Sequence, residues 1–214
     1  MSVAAKICGL STEAAVTAAV AGGAAYLGFV FYPPSPRAVT AERAARVCAG
    51  VPEGIARVGL FVDADDDAIA AVLAAAPINL LQFHGSESPE RVADAKTRFG
   101  RPVMKAIAIA GREDVLAAAR YEEVADLLLF DAQPPRRPGA LPGGNGLAFD
   151  WDLIAGRSWG RPWMLSGGLT AELLPEAVRI SSAAAVDVSS GVESRPGVKD
   201  LNKIHDFLAV VRTL

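Results

Sequence analysis

The sequence predicts an α/β protein folded as one closed (β/α)8 barrel. Short apolar segments alternate with alanine-rich amphipathic segments, and eight such pairs fit within 214 residues. The apolar segments are hydrophobic throughout, which indicates strands buried on both faces of a parallel sheet. Because 51% of the chain is hydrophobic, it can bury a large core, and we expect a single domain spanning residues 1–214.

Each pair begins with a strand. The predicted strands are residues 4–8, 26–31, 57–62, 80–84, 103–107, 127–131, 163–166 and 184–188. The predicted helices are residues 12–21, 41–49, 66–75, 89–99, 112–120, 151–155, 171–180 and 200–212. Polar caps mark the helix starts, at Ser11 with Thr12, at Thr40, at Ser88 before Pro89, and at Thr170.

An open, doubly wound sheet is the competing fold. It would usually have fewer strands and a glycine-rich turn after the first, whereas the first turn here reads Cys8-Gly9-Leu10-Ser11. The closed barrel therefore fits the chain better.

Charge and composition exclude several classes of partner. The net charge is −3 and the basic residues are scattered, so no surface is predicted for nucleic acid or for an anionic membrane. No run of 18 apolar residues occurs, and Lys6 within the first apolar run argues against a signal peptide. We expect a cytoplasmic protein, monomeric or homodimeric, that binds a small molecule. Cys48, 40 residues after Cys8, is interpreted as a packing residue.

Cys8 and Asp131 are the candidate catalytic residues, because each closes a predicted strand. The carboxyl ends of barrel strands carry the active site in this architecture. A nearby helix N-terminus is expected to lower the pKa of the Cys8 thiol. The pair would supply a base and an acid. The alternative is a small buried cysteine and an aspartate that begins a loop.

Three further polar residues follow strand ends and should meet at the same mouth. Arg37 lies in a proline-stiffened loop and suits a planar carboxylate, although a lone loop arginine is more often solvated. His84 is either a site residue or a structural histidine, and Asp187 ends the eighth strand. With only two histidines, far apart in sequence, no metal site is predicted.

Two glycine-bearing segments follow the last two strands and predict a phosphate site. Loops at these places, with a short helix N-terminus, offer bare backbone N–H groups to an anion. The predicted ligands are Gly167, Gly168, Ser189, Ser190 and Gly191. They carry no Lys or Arg until Arg195, so shape and dipole are expected to replace formal charge. A long loop, residues 132–147, joins the sixth strand to its helix on the same face.

These segments, taken together, resemble the phosphoribosylanthranilate isomerase family over essentially the whole chain. The shared motifs are KICG (6–9), LGFVF (27–31) with SPR (35–37), VGLFV (58–62), QFHG (82–85), DA (131–132), GGNG (143–146) with FDW (149–151), SGGL (166–169), and VDVSSGVE (186–193) with GVKD (197–200). One departure is Phe83, where an aliphatic residue is more usual in the family.

The resemblance implies a (β/α)8 barrel that performs an Amadori rearrangement in tryptophan biosynthesis without a cofactor. It implies that Asp131 is the general acid, that Cys8 is the general base, and that an apolar environment keeps Asp131 protonated. It assigns the anthranilate carboxylate to Arg37 and the phosphate to the last two loops. Asp187 would join the site through a substrate hydroxyl.

Two alternatives stay open at this point. An isomerase of the related histidine-pathway ribonucleotide, alone or as a dual-substrate enzyme, typically has an aspartate where this chain has Cys8. A barrel that only binds a phosphorylated metabolite would keep Gly167, Gly168 and Ser190 but would lack an acid and base pair.

Overall fold

Eight parallel strands form a closed barrel, in which each strand pairs with the next along the chain and the eighth pairs with the first. The structure, a computed structural model, describes residues 3–135 and 141–214. The strands are β1 (Ala4–Cys8), β2 (Tyr26–Val30), β3 (Ala56–Phe61), β4 (Leu80–Phe83), β5 (Val103–Ile109), β6 (Leu127–Ala132), β7 (Trp163–Leu165) and β8 (Ala185–Val188). The predicted fold class is confirmed, and strand ends differ from the prediction by two residues at most.

Helices surround the barrel and begin at polar caps. They are α1 (Glu13–Ala21), α2 (Ala41–Cys48), α3 (Asp66–Ala75), α4 (Pro89–Phe99), α5 (Arg112–Ala118), α6 (Leu174–Ser181) and α7 (Leu201–Val211). The side chains of Thr12, Thr40 and Ser88 each accept a hydrogen bond from the backbone N–H three residues later. The first backbone N–H groups of a helix have no partner within it, so these capping side chains fix where α1, α2 and α4 start.

The prediction of a sixth helix at residues 151–155 is wrong. A single 3-10 turn, Trp151–Leu153, lies between β6 and β7. Gly156, at φ 68°, takes the chain out of the helical conformation soon afterwards, and one turn gains too few hydrogen bonds to propagate.

The seventh and eighth helices begin later than predicted. Thr170 accepts a hydrogen bond from Leu173 N–H in the turn that precedes α6, so it does not cap the helix itself. Before α7 the chain forms an unpredicted antiparallel hairpin, β9 (Glu193–Arg195) and β10 (Val198–Lys199). This hairpin places two charged residues beside the mouth of the barrel.

The interior of the barrel is apolar toward the amino ends of the strands. One buried cluster there consists of Val58, Leu80, Met104, Ala106, Leu129 and Met164. Lys6 and Gln82 are the polar exceptions, and both are fully buried. Within the part of the chain that the structure describes, no helix has the length and hydropathy needed to cross a membrane.

Candidate active site

One pocket opens at the carboxyl ends of the barrel strands. All ten residues predicted for the site line it: Cys8, Arg37, His84, Asp131, Gly167, Gly168, Asp187, Ser189, Ser190 and Gly191. They come from six of the eight strand ends, so the closed sheet brings together residues that are far apart in sequence. Residues 141–147, part of the long loop after β6, form another wall. Residues 136–140 of that loop lie outside the described chain.

Cys8 ends β1 with its side chain inside the mouth of the barrel. Gly28 on β2 makes room for it, since a Cβ there would lie 2.9 Å from Cys8 Sγ. Burial raises the pKa of the Cys8 thiol, because the thiolate would lose its hydration, and nearby Lys6 opposes part of this rise. The expectation that a helix N-terminus lowers this pKa is therefore wrong. Helix α1 begins only at Glu13, and desolvation is the larger effect.

Lys6 lies two residues before Cys8 on β1 and was not among the predicted site residues. Its Nζ is 2.8 Å from Asp187 Oδ1, and the second Asp187 oxygen accepts a hydrogen bond from Ser166 Oγ at 3.0 Å. Burial alone would lower the pKa of Lys6, but Asp187 and Cys8 raise it above its ordinary value. A permanent cation thus lies beside the thiol, and Asp187 is engaged by protein groups.

Asp131 lies on β6 and is paired with His84. Oδ1 of Asp131 accepts a hydrogen bond from the N–H of Ala132, and Oδ2 is 3.2 Å from His84 Nε2. A Cβ on Gly143 would lie 2.8 Å from Asp131 Oδ2 and 2.6 Å from His84 Cε1. A side chain at this point of the loop would crowd both groups, so glycine lets the loop backbone approach the pair closely.

Arg37 is buried, and a carboxylate of the protein already holds one edge of it. Its Nε and Nη2 donate to the two Glu193 oxygens at 2.8 and 2.9 Å, and Nη2 also donates to Gly144 O at 3.1 Å. Lys199 binds the same Glu193 at 2.9 Å. Arg37 and Lys199 both contribute to lowering the pKa of Glu193, although burial by itself would raise it. Glu193 therefore aims the guanidinium at the pocket, and no local sequence pattern indicated this partner.

The loops after β7 and β8 present backbone N–H groups to the pocket. Gly167 and Gly168 have φ of 91° and 62°, conformations that side chains disfavour. A 3-10 turn, residues 190–192, follows β8 directly. Within the described residues, the N–H groups of Gly167, Gly168, Ser190 and Gly191 donate no hydrogen bond. Such clustered donors at a short helix start are suited to an anion.

A lysine with a buried side chain, Lys199, contacts the loop after β8. Lys199 Nζ donates to the carbonyl of Ser189 at 2.8 Å, so positive charge is close to the turn after β8. The expectation that shape and dipole replace formal charge there is wrong in this respect. The hairpin β9–β10 brings Lys199 back to a loop that lies ten residues earlier in the chain. Arg195, on the same hairpin, is exposed.

The comparisons with known proteins agree with this geometry. A family model described as N-(5'phosphoribosyl)anthranilate (PRA) isomerase matches residues 5–210. The chain belongs to this family. The N-(5'-phosphoribosyl)anthranilate isomerase of Paracoccus denitrificans (strain Pd 1222) is 56% identical over 209 residues, which cover 98% of this chain and 97% of the relative.

Solved structures of the family superpose over nearly the whole chain. The phosphoribosyl anthranilate isomerase of Thermotoga maritima has a TM-score of 0.89 and 35% identity, and the match covers 99% of this chain and 100% of that one. A phosphoribosyl anthranilate isomerase in complex with reduced 1-(o-carboxyphenylamino)-1-deoxyribulose 5-phosphate has a TM-score of 0.84 and 34% identity, with the same coverage.

Proposed function

We propose that the protein converts N-(5-phosphoribosyl)anthranilate to 1-(2-carboxyphenylamino)-1-deoxyribulose 5-phosphate, with Asp131 as general acid and Cys8 as general base. Membership of the family makes the protein an isomerase of tryptophan biosynthesis. The observation that carries the residue assignment is the single pocket in which a thiol, a carboxyl group, a buried guanidinium and free backbone N–H groups meet. Each of these matches one part of the substrate.

The proton transfers can be written with every atom balanced. Asp131 gives its proton to the furanose ring oxygen, the bond from C1′ to that oxygen breaks, and the nitrogen lone pair forms an iminium. The Cys8 thiolate then takes the proton from C2′, and the electrons of that bond form the enol-amine. Transfer of a proton from the enol oxygen to C1′ gives the ketone, and after product release Cys8 loses its proton to solvent while Asp131 takes one up, which restores both groups. The iminium makes the C2′ proton acidic enough for a thiolate to remove it.

The surroundings of Cys8 support its role as the base. A thiolate that forms in a desolvated site is a stronger base than one in water, which agrees with the raised pKa of Cys8. Lys6 supplies a fixed positive charge that favours the thiolate over the thiol. Lys6 therefore offsets part of the cost of burying the thiolate, although the pKa of Cys8 stays above its ordinary value.

The two ends of the substrate are assigned to different donors, one end to backbone N–H groups and the other to a guanidinium. The phosphate goes to the N–H groups of Gly167, Gly168, Ser189, Ser190 and Gly191. The anthranilate carboxylate goes to Nη1 of Arg37, since Nε and Nη2 donate to Glu193 and Nη2 also donates to Gly144 O. His84 and Asp187 border the sugar, where His84 contacts Asp131 and Asp187 contacts Lys6.

A turnover assay with purified protein tests the proposal. Loss of the fluorescence of N-(5-phosphoribosyl)anthranilate should require both Cys8 and Asp131, so the double variant Cys8→Ser/Asp131→Asn serves as the blank. The histidine-pathway ribonucleotide, offered in parallel, tests the alternative substrate. Binding of phosphorylated sugar without turnover would favour a non-catalytic barrel. Cytoplasmic location and a monomeric or homodimeric state stay predictions.

A further inference from the structure

Gln82 is a buried amide in a part of the barrel that is otherwise apolar. It lies on β4 between Leu80, which points into the apolar interior cluster, and His84, and its exposure is 0%. Its Oε1 has no hydrogen-bond partner among the described residues. An unpaired buried carbonyl is unfavourable, and a methionine of similar length would fill the space without one. A residue that breaks a packing rule next to a pocket is a candidate for a functional role.

The contact between Gln82 and His84 determines where the imidazole carries its hydrogen. Gln82 Nε2 is 3.2 Å from His84 Nδ1. An amide nitrogen can only donate, so in this orientation of the Gln82 amide Nδ1 accepts, and the ring hydrogen is assigned to Nε2. That nitrogen is 3.2 Å from Asp131 Oδ2. The chain of donors therefore runs from Gln82 through His84 to Asp131.

We propose that Gln82 is a positioning residue for the acid step, because it holds His84 in the Nε2–H tautomer that donates to Asp131. The inference rests on the proposed role of Asp131 as the acid. As Asp131 gives its proton to the ring oxygen, negative charge develops on its oxygens, and a hydrogen bond to a charged acceptor is stronger than one to a neutral acceptor. The other tautomer would present a lone pair to this charge and would slow the transfer.

The loop after β6 strengthens this dependence on His84. Gly143 lies so close to the His84 and Asp131 side chains that even a Cβ would collide with both. Little room is left on that side for a water molecule that could replace the imidazole as donor. Second-layer groups that fix a histidine tautomer have the same effect in other kinds of site.

The tautomer can be measured directly, because the chain contains only two histidines. In protein labelled with 15N at histidine, His205 is the internal reference, since its side chain is 71% exposed. The variant His205→Gln assigns the signals. We expect the His84 signals to show a hydrogen on Nε2 and a lone pair on Nδ1. In Gln82→Glu the new carboxylate should accept from the ring, so hydrogen should appear on Nδ1. A wild-type ring protonated at Nδ1 alone would overturn the proposal.

Single-turnover kinetics test whether the tautomer matters for the reaction. Gln82→Met should slow the chemical step about 10- to 100-fold, the effect of losing one charge-assisted hydrogen bond, and leave KM nearly unchanged. Its free energy of unfolding should not fall, since the unpaired carbonyl is removed. Gln133→Met is the matched control, because Gln133 is the other glutamine of the chain and does not line the pocket.

The outcomes separate this inference from the proposed function. An unchanged single-turnover rate in Gln82→Met would overturn the positioning role even if the tautomer is as expected. A rate that falls only in proportion to lost folded protein would also overturn it. Full activity of Asp131→Asn would instead refute the acid assignment, whereas the tautomer measured in the wild type would be unaffected.

Discussion

Lys6 and Asp187 form a buried ion pair 2.8 Å long, where β1 pairs with β8 to close the barrel. The two residues are 181 positions apart, so the pair exists only when the barrel is closed. It lies one layer below Cys8, on the same strand as the thiol. Closure of the barrel therefore also holds the positively charged Lys6 next to Cys8, the candidate base.

Removing one partner of this pair should destabilise the fold strongly. Lys6→Met leaves Asp187 buried without its counter-ion, which we expect to cost about 3–5 kcal/mol in the free energy of unfolding. The double variant Lys6→Met/Asp187→Asn should be more stable than Lys6→Met, because no unpaired charge remains and Ser166 keeps an acceptor. Urea denaturation measures both. Equal or greater loss in the double variant would show that the charge pairing is not what stabilises this region.

Cys8→Ser and Asp131→Asn should each abolish most of the chemistry without unfolding the protein. General acid and base groups contribute about 10²–10⁴-fold each, so single-turnover rates should fall by at least about 100-fold. Cys48→Ser is the control, because Cys48 is a buried residue at the end of α2 and does not line the pocket. A loss of less than tenfold in kcat for either variant would remove that residue from its assigned role.

The rate at which Cys8 is alkylated should keep rising with pH into the range in which an ordinary thiol is already fully ionised. Its pKa lies above the ordinary value of 9.0, and the thiolate is the reactive form, so alkylation by iodoacetamide should still accelerate above pH 9.0. The Cys48→Ala background leaves Cys8 as the only thiol in the chain. Lys6→Met should move the profile to still higher pH, because the favourable cation is lost. A plateau reached below pH 9.0 would contradict the desolvated environment.

Arg37→Ala should weaken substrate binding more than it slows the reaction. Loss of a charge-assisted contact costs about 1.5–3 kcal/mol, which corresponds to roughly 10- to 150-fold in KM. Glu193→Gln should show a smaller effect in the same direction, since Arg37 stays present but is less firmly held. Arg43→Ala is the control on α2, where the guanidinium binds Ser11 O outside the pocket. An unchanged KM in Arg37→Ala would refute the carboxylate assignment.

Gly168→Val should reduce the affinity for inorganic phosphate by about tenfold or more, measured by calorimetry. A Cβ at Gly168 would lie 2.7 Å from Leu147 C, so the backbone at one of the two positions must shift, which disturbs the arrangement of the N–H donors. Gly54→Val is a matched control, because Gly54 also has positive φ but open space around it. Arg195→Ala should have little effect, since Arg195 is exposed. Similar losses in Gly168→Val and Gly54→Val would place phosphate elsewhere.

The sequence by itself determined the architecture and which residues meet at the candidate site. Runs such as residues 127–130 are apolar throughout because both faces of a barrel strand are buried, and this local pattern can be read without a structure. Since parallel strands all end at one mouth, Cys8, Asp131 and Gly168 could be placed together from their positions at strand ends alone. These inferences depend only on residues that are neighbours in the chain.

Only the tertiary structure decided the partners and the electrostatics of the site. Lys6 with Asp187, and Arg37 with Glu193, are separated by 181 and 156 residues, and their pairing depends on how the barrel closes. The direction of the Cys8 pKa depends on burial, which a helix cap in the sequence cannot reveal. The physical reason is the same in each case. Desolvation and ion pairing act through space, whereas sequence periodicity reports only which face of each element is buried.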